Sequence, residues 1–373
     1  MGLINIVENY RCWFSNSMSS QTRQPHSTLY YIVESRDWST RWDGRYITKN
    51  LNRQALIKAR ITTTFRGIRN QIIHFGSRAT FLPEAWKCVD SSNKIIFTWF
   101  HGTEEDKDPE NLAMIATLPE ASGRADAVHT SCTISKKNLM KWGVAGDKIA
   151  VVPLGIDLSV FKPVSDAGKD AIRKEFGIPE DKVVIGSFQK DGVGWGEGFE
   201  PKWVKGPDIF LRTIEKLSGQ YDVFVLLTGP ARGYVKRGLD NIGIPYKHYY
   251  LKNYLEITRY YNTLDLYLVT SRAEGGPKAI LESMATGIPL ISTEVGMAPD
   301  IIEDGYNGLL ANIDDVEVLS EKAAEIIGDK EMATRLASNA LDTVKEYSWA
   351  AIARQYFEMI YSHFLQRYGD VPA

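Results

Sequence analysis

Two glutamates, Glu274 and Glu282, stand with seven residues between them in the segment SRAEGGPKAILESMATGIP at 271–289. A carboxylate accepts hydrogen bonds on two oxygens, so a pair of them suits a ligand rich in hydroxyl donors, such as a sugar or a ribose. Between the two lie Gly275 and Gly276, whose missing side chains let backbone N–H groups approach a ligand, and Pro277, which suits a first helical turn. Stepping outward along the chain, Leu264, Leu266, Leu268 and Val269 read as a buried strand and residues 278–285 as a helix. Glu274 therefore belongs at the strand's end and Glu282 about one turn into the helix. The helix N-terminus near Lys278 adds partial positive charge, so the segment favours a phosphate beside an array of hydroxyls.

His101 closes the apolar run 95–100 and precedes Gly102, which places an imidazole at the C-terminal edge of a strand, where open α/β sheets bind ligands. Arg232 follows another strand end and is either a nucleotide-facing cation or a surface arginine. The stretch Gly192-Val193-Gly194-Trp195-Gly196-Glu197-Gly198 superficially resembles a dinucleotide fingerprint. It is followed by Phe199-Glu200-Pro201 rather than a helix, and no acidic residue closes a second strand about 20 residues on, which argues against nicotinamide binding. Asp106-Lys107-Asp108 is a nominal metal-binding pair in a polar loop without converging oxygens, so no metal is expected. Trp38, Trp42 and Trp99 would form either a sugar-stacking wall or part of the core.

The 271–289 segment resembles the nucleotide-sugar site of retaining glycosyltransferases, and the chain from about 94 to 361 is similar to glycosyltransferase family 4, whose members have the GT-B fold. Ala125-Asp126-Ala127-Val128, Ser131, the run from Lys148 through Val152-Pro153-Leu154-Gly155-Ile156-Asp157, and Phe161-Lys162-Pro163 resemble the family's inter-domain stretch. Leu154 stands where asparagine is usual. Glu294-Val295-Gly296, Pro299-Asp300-Ile301-Ile302 and Gly305-Tyr306-Asn307-Gly308 resemble its next strand and loop, with Asp300 where glutamate is commoner.

The resemblance implies a metal-independent, retaining enzyme with no cofactor, a nucleotide-sugar donor such as a UDP- or GDP-sugar, and a glycan or lipid-linked acceptor. It implies an active site in the cleft between two Rossmann-like domains, the donor on the second and the acceptor on the first. Glu282 would hold ribose hydroxyls, Glu274, Gly275 and Gly276 would meet the sugar, and His101 would lie near the reacting carbon. Pro277, Lys278, Arg232 and Gly44 would complete the donor contacts. Family members usually supply an arginine and a lysine to the leaving diphosphate from the first strand–helix connection of the second domain. Lys205-Gly206 matches the lysine, but no arginine follows Val184-Ile185-Gly186, and Lys190 is the candidate substitute. Attack from the face of the departing phosphate lets that phosphate take the acceptor proton, so no base is assigned. A metal-dependent transferase of the GT-A kind, an NAD-dependent oxidoreductase and a non-catalytic sugar-nucleotide-binding relative are the alternatives.

Composition agrees with a two-domain α/β protein. The chain has 373 residues, 44% hydrophobic and 24% charged, with a net charge of −2 that excludes bulk attraction to nucleic acid. Strand patterns at 29–33, 71–75, 94–100, 183–188, 223–228 and 264–269 alternate with helical ones at 207–216 and 278–285, which predicts parallel sheets. The polar, Pro-containing stretch 161–165 suggests domains at 1–162 and 163–348. By resemblance, 349–373 returns to the first. Cys12, Cys88 and Cys132 are widely spaced and read as buried thiols in a reducing compartment. No apolar run approaches the roughly 20 residues of a membrane span, so a cytoplasmic enzyme is expected. From Gly44 to Lys87 nine basic residues face one acid, Glu84. A helix over 45–60 would gather Arg45, Lys49, Arg53 and Arg60 within about 80° of arc, either a solvated face or a peripheral contact with an anionic acceptor or the inner face of a membrane.

Overall fold

The computed structural model describes residues 25–35, 39–83, 85–106 and 108–365, with Trp13 and residues 15–17. Two compact units divide the chain, 1–155 with 349–373 and 156–348. That division falls ahead of the Pro-containing stretch at 161–165.

The first unit is built on six short parallel strands: β1 (Thr28–Ile32), β2 (Lys58–Thr62), β3 (Ile72–Phe75), β4 (Lys94–Thr98), β5 (Ala127–Thr130) and β6 (Ile149–Val151). Their order is β2-β1-β3-β4-β5-β6. Both faces of β1 and β3 are buried, as a parallel sheet covered by helices requires. Tyr30, Ile73, Phe75, Phe97 and Val128 look into one core. The alternate residues Tyr31, His74, Thr98 and His129 look to the other face, where His74 and His129 meet Tyr356 of helix Trp349–Met359.

On that second face four hydrogen bonds form a chain: Tyr361 Oη to His74 Nδ1 at 2.7 Å, His74 Nε2 to Thr98 Oγ1 at 2.8 Å, Thr98 Oγ1 to His129 Nδ1 at 2.9 Å, and His129 Nε2 to Val152 O at 2.9 Å. The carbonyl of Val152 only accepts, so His129 donates from Nε2. Thr98 then donates to His129 Nδ1, His74 to Thr98, and Tyr361 to His74. Every link is satisfied with both imidazoles neutral. Burial pushes His129 down to about 4, and His74 falls well below its ordinary value through burial first and then the neighbouring His129.

The basic helix is shorter than its charge spacing suggests. It runs over Ser39–Arg53 and ends in a turn where Ala55 has φ +52°, so Arg60 lies on edge strand β2 and leaves the stripe. Trp42, Asp43 and Gly44 lie inside this helix. Gly44 is buried where a Cβ would come within 2.7 Å of Val33 Cγ1 and 2.9 Å of the Tyr31 ring. Its missing side chain lets the helix approach the sheet, so Gly44 is corrected from a donor contact to a packing position. Cys132 is buried, but Cys88 is exposed, contrary to expectation. Cys12 lies outside the described residues.

The second unit has the same plan, with β7 (Val183–Phe188), β8 (Val223–Thr228), β9 (Tyr246–Tyr249), β10 (Leu266–Val269), β11 (Leu290–Thr293) and β12 (Leu309–Ala311) in the order β12-β11-β10-β7-β8-β9. All pairings are parallel. The C-terminal ends of β7 and β10, adjacent strands, therefore lie on one sheet edge, and the loops that follow them carry Lys190 and Glu274.

Candidate active site

Glu274 is set by two loops that grip each other. After β10, the backbone N–H groups of Arg272 and Ala273 donate to Val204 O at 2.9 and 3.2 Å, docking the turn Trp203–Lys205. Arg272 completes the grip, bidentate to Asp208 at 2.8 and 2.6 Å, and donating to Asp314 at 2.7 Å and Trp203 O at 3.0 Å. Burial raises the Asp208 carboxyl, but Arg272 outweighs it and holds the group below its ordinary value. Gly206 is left-handed, φ +57°, and any Cβ there would strike the carbonyl of Thr270. Only glycine allows that approach. The outcome is an ion pair between Lys205 Nζ and Glu274 Oε1, an oxygen that also accepts from Ser271 Oγ at 3.0 Å. The glutamate side chain is 13% exposed and the lysine 24%, so both remain reachable.

Gly275 and Gly276 follow. Gly296, at φ +53°, supports them from the loop after β11, where a Cβ would lie 2.5 Å from Gly275 O and 3.0 Å from Glu274 O. The N–H groups of Gly275 and Gly276 meet no acceptor among the described residues. Pro277 provides no side-chain cap to the helix Lys278–Ala285, so its first turn presents N–H groups and positive potential. Glu282, one turn in, is 3% exposed. Tyr261 Oη donates to its Oε2 at 2.9 Å, and Tyr254 Oη donates to Oε1. Two phenols thus orient a buried carboxylate.

Lys190 leaves the end of β7 with its Nζ 4.1 Å from the centroid of the Trp195 ring. Burial, then the neighbouring Lys202, push its pKa down. Arg232 is placed differently from either expectation: it is 1% exposed, neither at a nucleotide-facing surface nor a plain surface residue. Its Nη1 donates to Ser187 O, Thr228 O and Gln189 O at 2.6, 2.7 and 3.0 Å, its Nη2 to Ser187 Oγ at 2.9 Å, and it lies 3.0 Å from Asp191 Oδ2. Those contacts engage both terminal nitrogens in fixing the ends of β7 and β8, while the buried Nε makes no hydrogen bond among the described residues. Burial pushes the Asp191 carboxyl up despite that partner.

In the first unit, His101 is exposed three residues past β4. The loop beneath it is pinned: Gly102 has φ +128°, a Cβ there would strike Arg78 and Asn111, and Asn111 Nδ2 donates to Thr103 O at 2.6 Å. Trp99 is core, 5.6 Å from Trp142, and Trp42 lies under Arg45 at 5.0 Å, so neither builds a sugar-stacking wall with the other. Trp38 lies outside the described residues. Asp108 caps the helix Pro109–Arg124, accepting from Asn111 N at 3.3 Å. Among the described residues no three His, Cys, Asp or Glu converge as a metal site.

Sequence reading missed Arg272, Asp208, Ser271, Asp191, Tyr254 and Tyr261. Arg272 and Ser271 lie inside the motif itself and were within reach, since an arginine two residues before a buried glutamate needs partners. Nothing local announces the tyrosines.

Two units, each a parallel sheet with flanking helices, define the α/β GT-B architecture. The chain aligns with the Anabaena protein HepE, solved with UDP and glucose, at a TM-score of 0.73 and 18% identity over 90% of this chain and all of that one. It aligns with sucrose-phosphate synthase of Thermosynechococcus elongatus at 0.65 and 17%, covering 97% and 94%. The family model for Glycosyltransferase Family 4 matches residues 21–160, and that for Glycosyl transferases group 1 matches residues 200–343. The protein belongs to the group 1 glycosyltransferases. A curated relative, the D-inositol 3-phosphate glycosyltransferase of Corynebacterium efficiens, is 27% identical over 56% of this chain and 50% of its own length. The chain spans about half the length of the curated relatives it matches.

Proposed function

We propose that the second unit binds a nucleotide-sugar and that the protein transfers its glycosyl group to an acceptor hydroxyl, with retained configuration and without a metal. The observation that carries this reading is the Lys205–Glu274 pair set against the glycine pair and the uncapped helix above buried Glu282. Glu282 accepts from ribose hydroxyls, Lys205 and Lys190 neutralise the departing diphosphate, and Glu274 holds the sugar beside Gly275 and Gly276, with Pro277 and Lys278 lining the same turn. The acceptor oxygen bonds to the anomeric carbon as the bond to phosphate breaks, and the acceptor proton passes to the departing phosphate oxygen. Positioned cations and amides stabilise that developing charge with little reorganisation. HepE's UDP and glucose make a UDP-sugar the first donor to try. His101 is assigned a part in turnover.

The test is release of nucleoside diphosphate from UDP-, GDP- and ADP-sugars with candidate acceptors, with and without EDTA, and the anomeric configuration of the product read by NMR. Transfer with retention in EDTA supports the reading. Restoration of a lost activity by Mn²⁺ or Mg²⁺, or an inverted product, would replace it.

A further inference from the structure

Between Val193 and Trp203 four large apolar side chains stand in the open: Val193 is 47% exposed, Trp195 65%, Phe199 50% and Trp203 46%. Soluble surfaces carry single exposed apolar residues without consequence, but a cluster of aromatics in one short loop marks a contact surface. Glycine-rich sequence suggests slack here, yet the loop is firmly built. Val193 N donates to Glu200 O at 2.9 Å and Lys202 N to Asp191 O at 2.7 Å, closing the loop's two arms. A Cβ on Gly192 or Gly198 would strike the Ala231 carbonyl, and one on Gly233 would come within 2.6 Å of Glu197 O. Gly233 N and Tyr234 N donate to Glu197 O and Gly198 O at 2.6 and 2.9 Å. The base is the buried Arg232–Asp191 pair. The aromatics are therefore displayed in a fixed arrangement, so no ordering of the loop is needed when they are covered.

Each ring has a cation against it: Lys190 at Trp195, Arg237 at Phe199 with 4.3 Å to the centroid, and Arg272 at Trp203 with 5.4 Å. Around the loop, with Asp191 cancelled by Arg232, Lys202, Lys236 and Arg237 outnumber Glu197 and Glu200, in a chain whose total charge is −2. Tryptophan and phenylalanine beside lysine and arginine is the composition of the bilayer boundary, where rings enter the headgroup region and cations meet lipid phosphates. We infer that the loop 192–203 is a docking surface for an anionic membrane. Because it leaves the C-terminal end of β7, beside the β10 end that carries Glu274, docking holds this sheet edge at the lipid surface. The inference rests on the exposed side chains and their charge, and does not depend on which nucleotide the protein binds.

The experiment is co-sedimentation of the full chain with vesicles of phosphatidylcholine alone and of phosphatidylcholine with phosphatidylglycerol, at low and high salt. The unmodified protein should bind the anionic vesicles, and raised salt should release it, because screening shortens electrostatic reach. The double variant Trp195→Ser, Phe199→Ser should bind about tenfold more weakly or less, since it removes two large apolar contacts. Its urea midpoint confirms that it folds. If it does not, tryptophan quenching of the unmodified protein by vesicles with brominated chains, reduced in Trp195→Phe, gives the same reading. Failure of the unmodified protein to bind anionic vesicles, equal binding by the variant, or a change in self-association of the variant without lipid would each overturn the inference, the last in favour of a contact between copies.

Discussion

Lys205 and Glu274 neutralise each other across two loops, the lysine donating from Nζ to Oε1, with Ser271 reaching the same oxygen at 3.0 Å. Lys205 comes from the end of one strand–helix connection, just ahead of the helix Pro207–Ser218, and Glu274 from another, and Arg272 and Gly206 lock those loops together. On the proposed reading, a diphosphate arriving at Lys205 would compete with the carboxylate and release it toward sugar hydroxyls.

Lys205→Ala and Glu274→Gln should each lower kcat by roughly 10² or more, the scale for losing a group that acts on transition-state charge. The double variant should be far less impaired than the product of the two losses, because each residue positions the other. Near-normal turnover in either single variant contradicts the assignment.

Breaking the Arg232–Asp191 pair should strike stability. Arg232→Met leaves a buried carboxylate without its cation and should lower unfolding free energy by about 3–5 kcal/mol, whereas Arg232→Met with Asp191→Leu should recover part of it. Urea denaturation distinguishes the cases. A stable Arg232→Met protein would restore the arginine to the surface.

The strand–glycine–helix unit around Glu274 was legible because three independent signals coincide there: an apolar strand, a glycine break and a proline ahead of helical residues 278–285. Strand β2 was not, because the reversal at 54–57 contains neither glycine nor proline and basic residues continue through it at helical spacing. Ala55 adopts a positive φ that its residue type does not advertise. Arg232 misled for a related reason. A lone arginine after a strand end says nothing of burial, and its partner Asp191 lies on a different connection. Glu282 was found, but its two phenols were not, since Tyr254 and Tyr261 reach it through tertiary packing alone.

The neutral histidine chain makes stability fall with acid. His129 has its folded value depressed to about 4 from 6.5, so the unfolded chain binds the proton first as pH drops. The stabilisation is complete above pH 6.5, is lost on going down toward 4, and amounts to roughly 3 kcal/mol for a shift of this size in a fully buried group. His74 shifts in the same direction. Urea midpoints measured from pH 7 to 4.5 should decline throughout. A flat profile would mean the rings are not buried neutral.

Tyr261→Phe should weaken the fold by about 1–3 kcal/mol by leaving an oxygen of Glu282 short of a donor in a buried place. Nucleotide affinity should fall with it, since the carboxylate loses its fixed orientation. Unchanged stability and unchanged affinity together would show that Tyr261 does not orient Glu282.

The most direct measurement is calorimetric titration of UDP, GDP and ADP into the unmodified protein and into Glu282→Gln. One nucleotide should bind the unmodified protein, and its affinity should drop by about 1–3 kcal/mol in the variant, the range for a lost charged hydrogen bond, while the fold is retained. Binding of none of the three, or equal affinity in Glu282→Gln, would contradict a nucleotide-sugar site on the second unit.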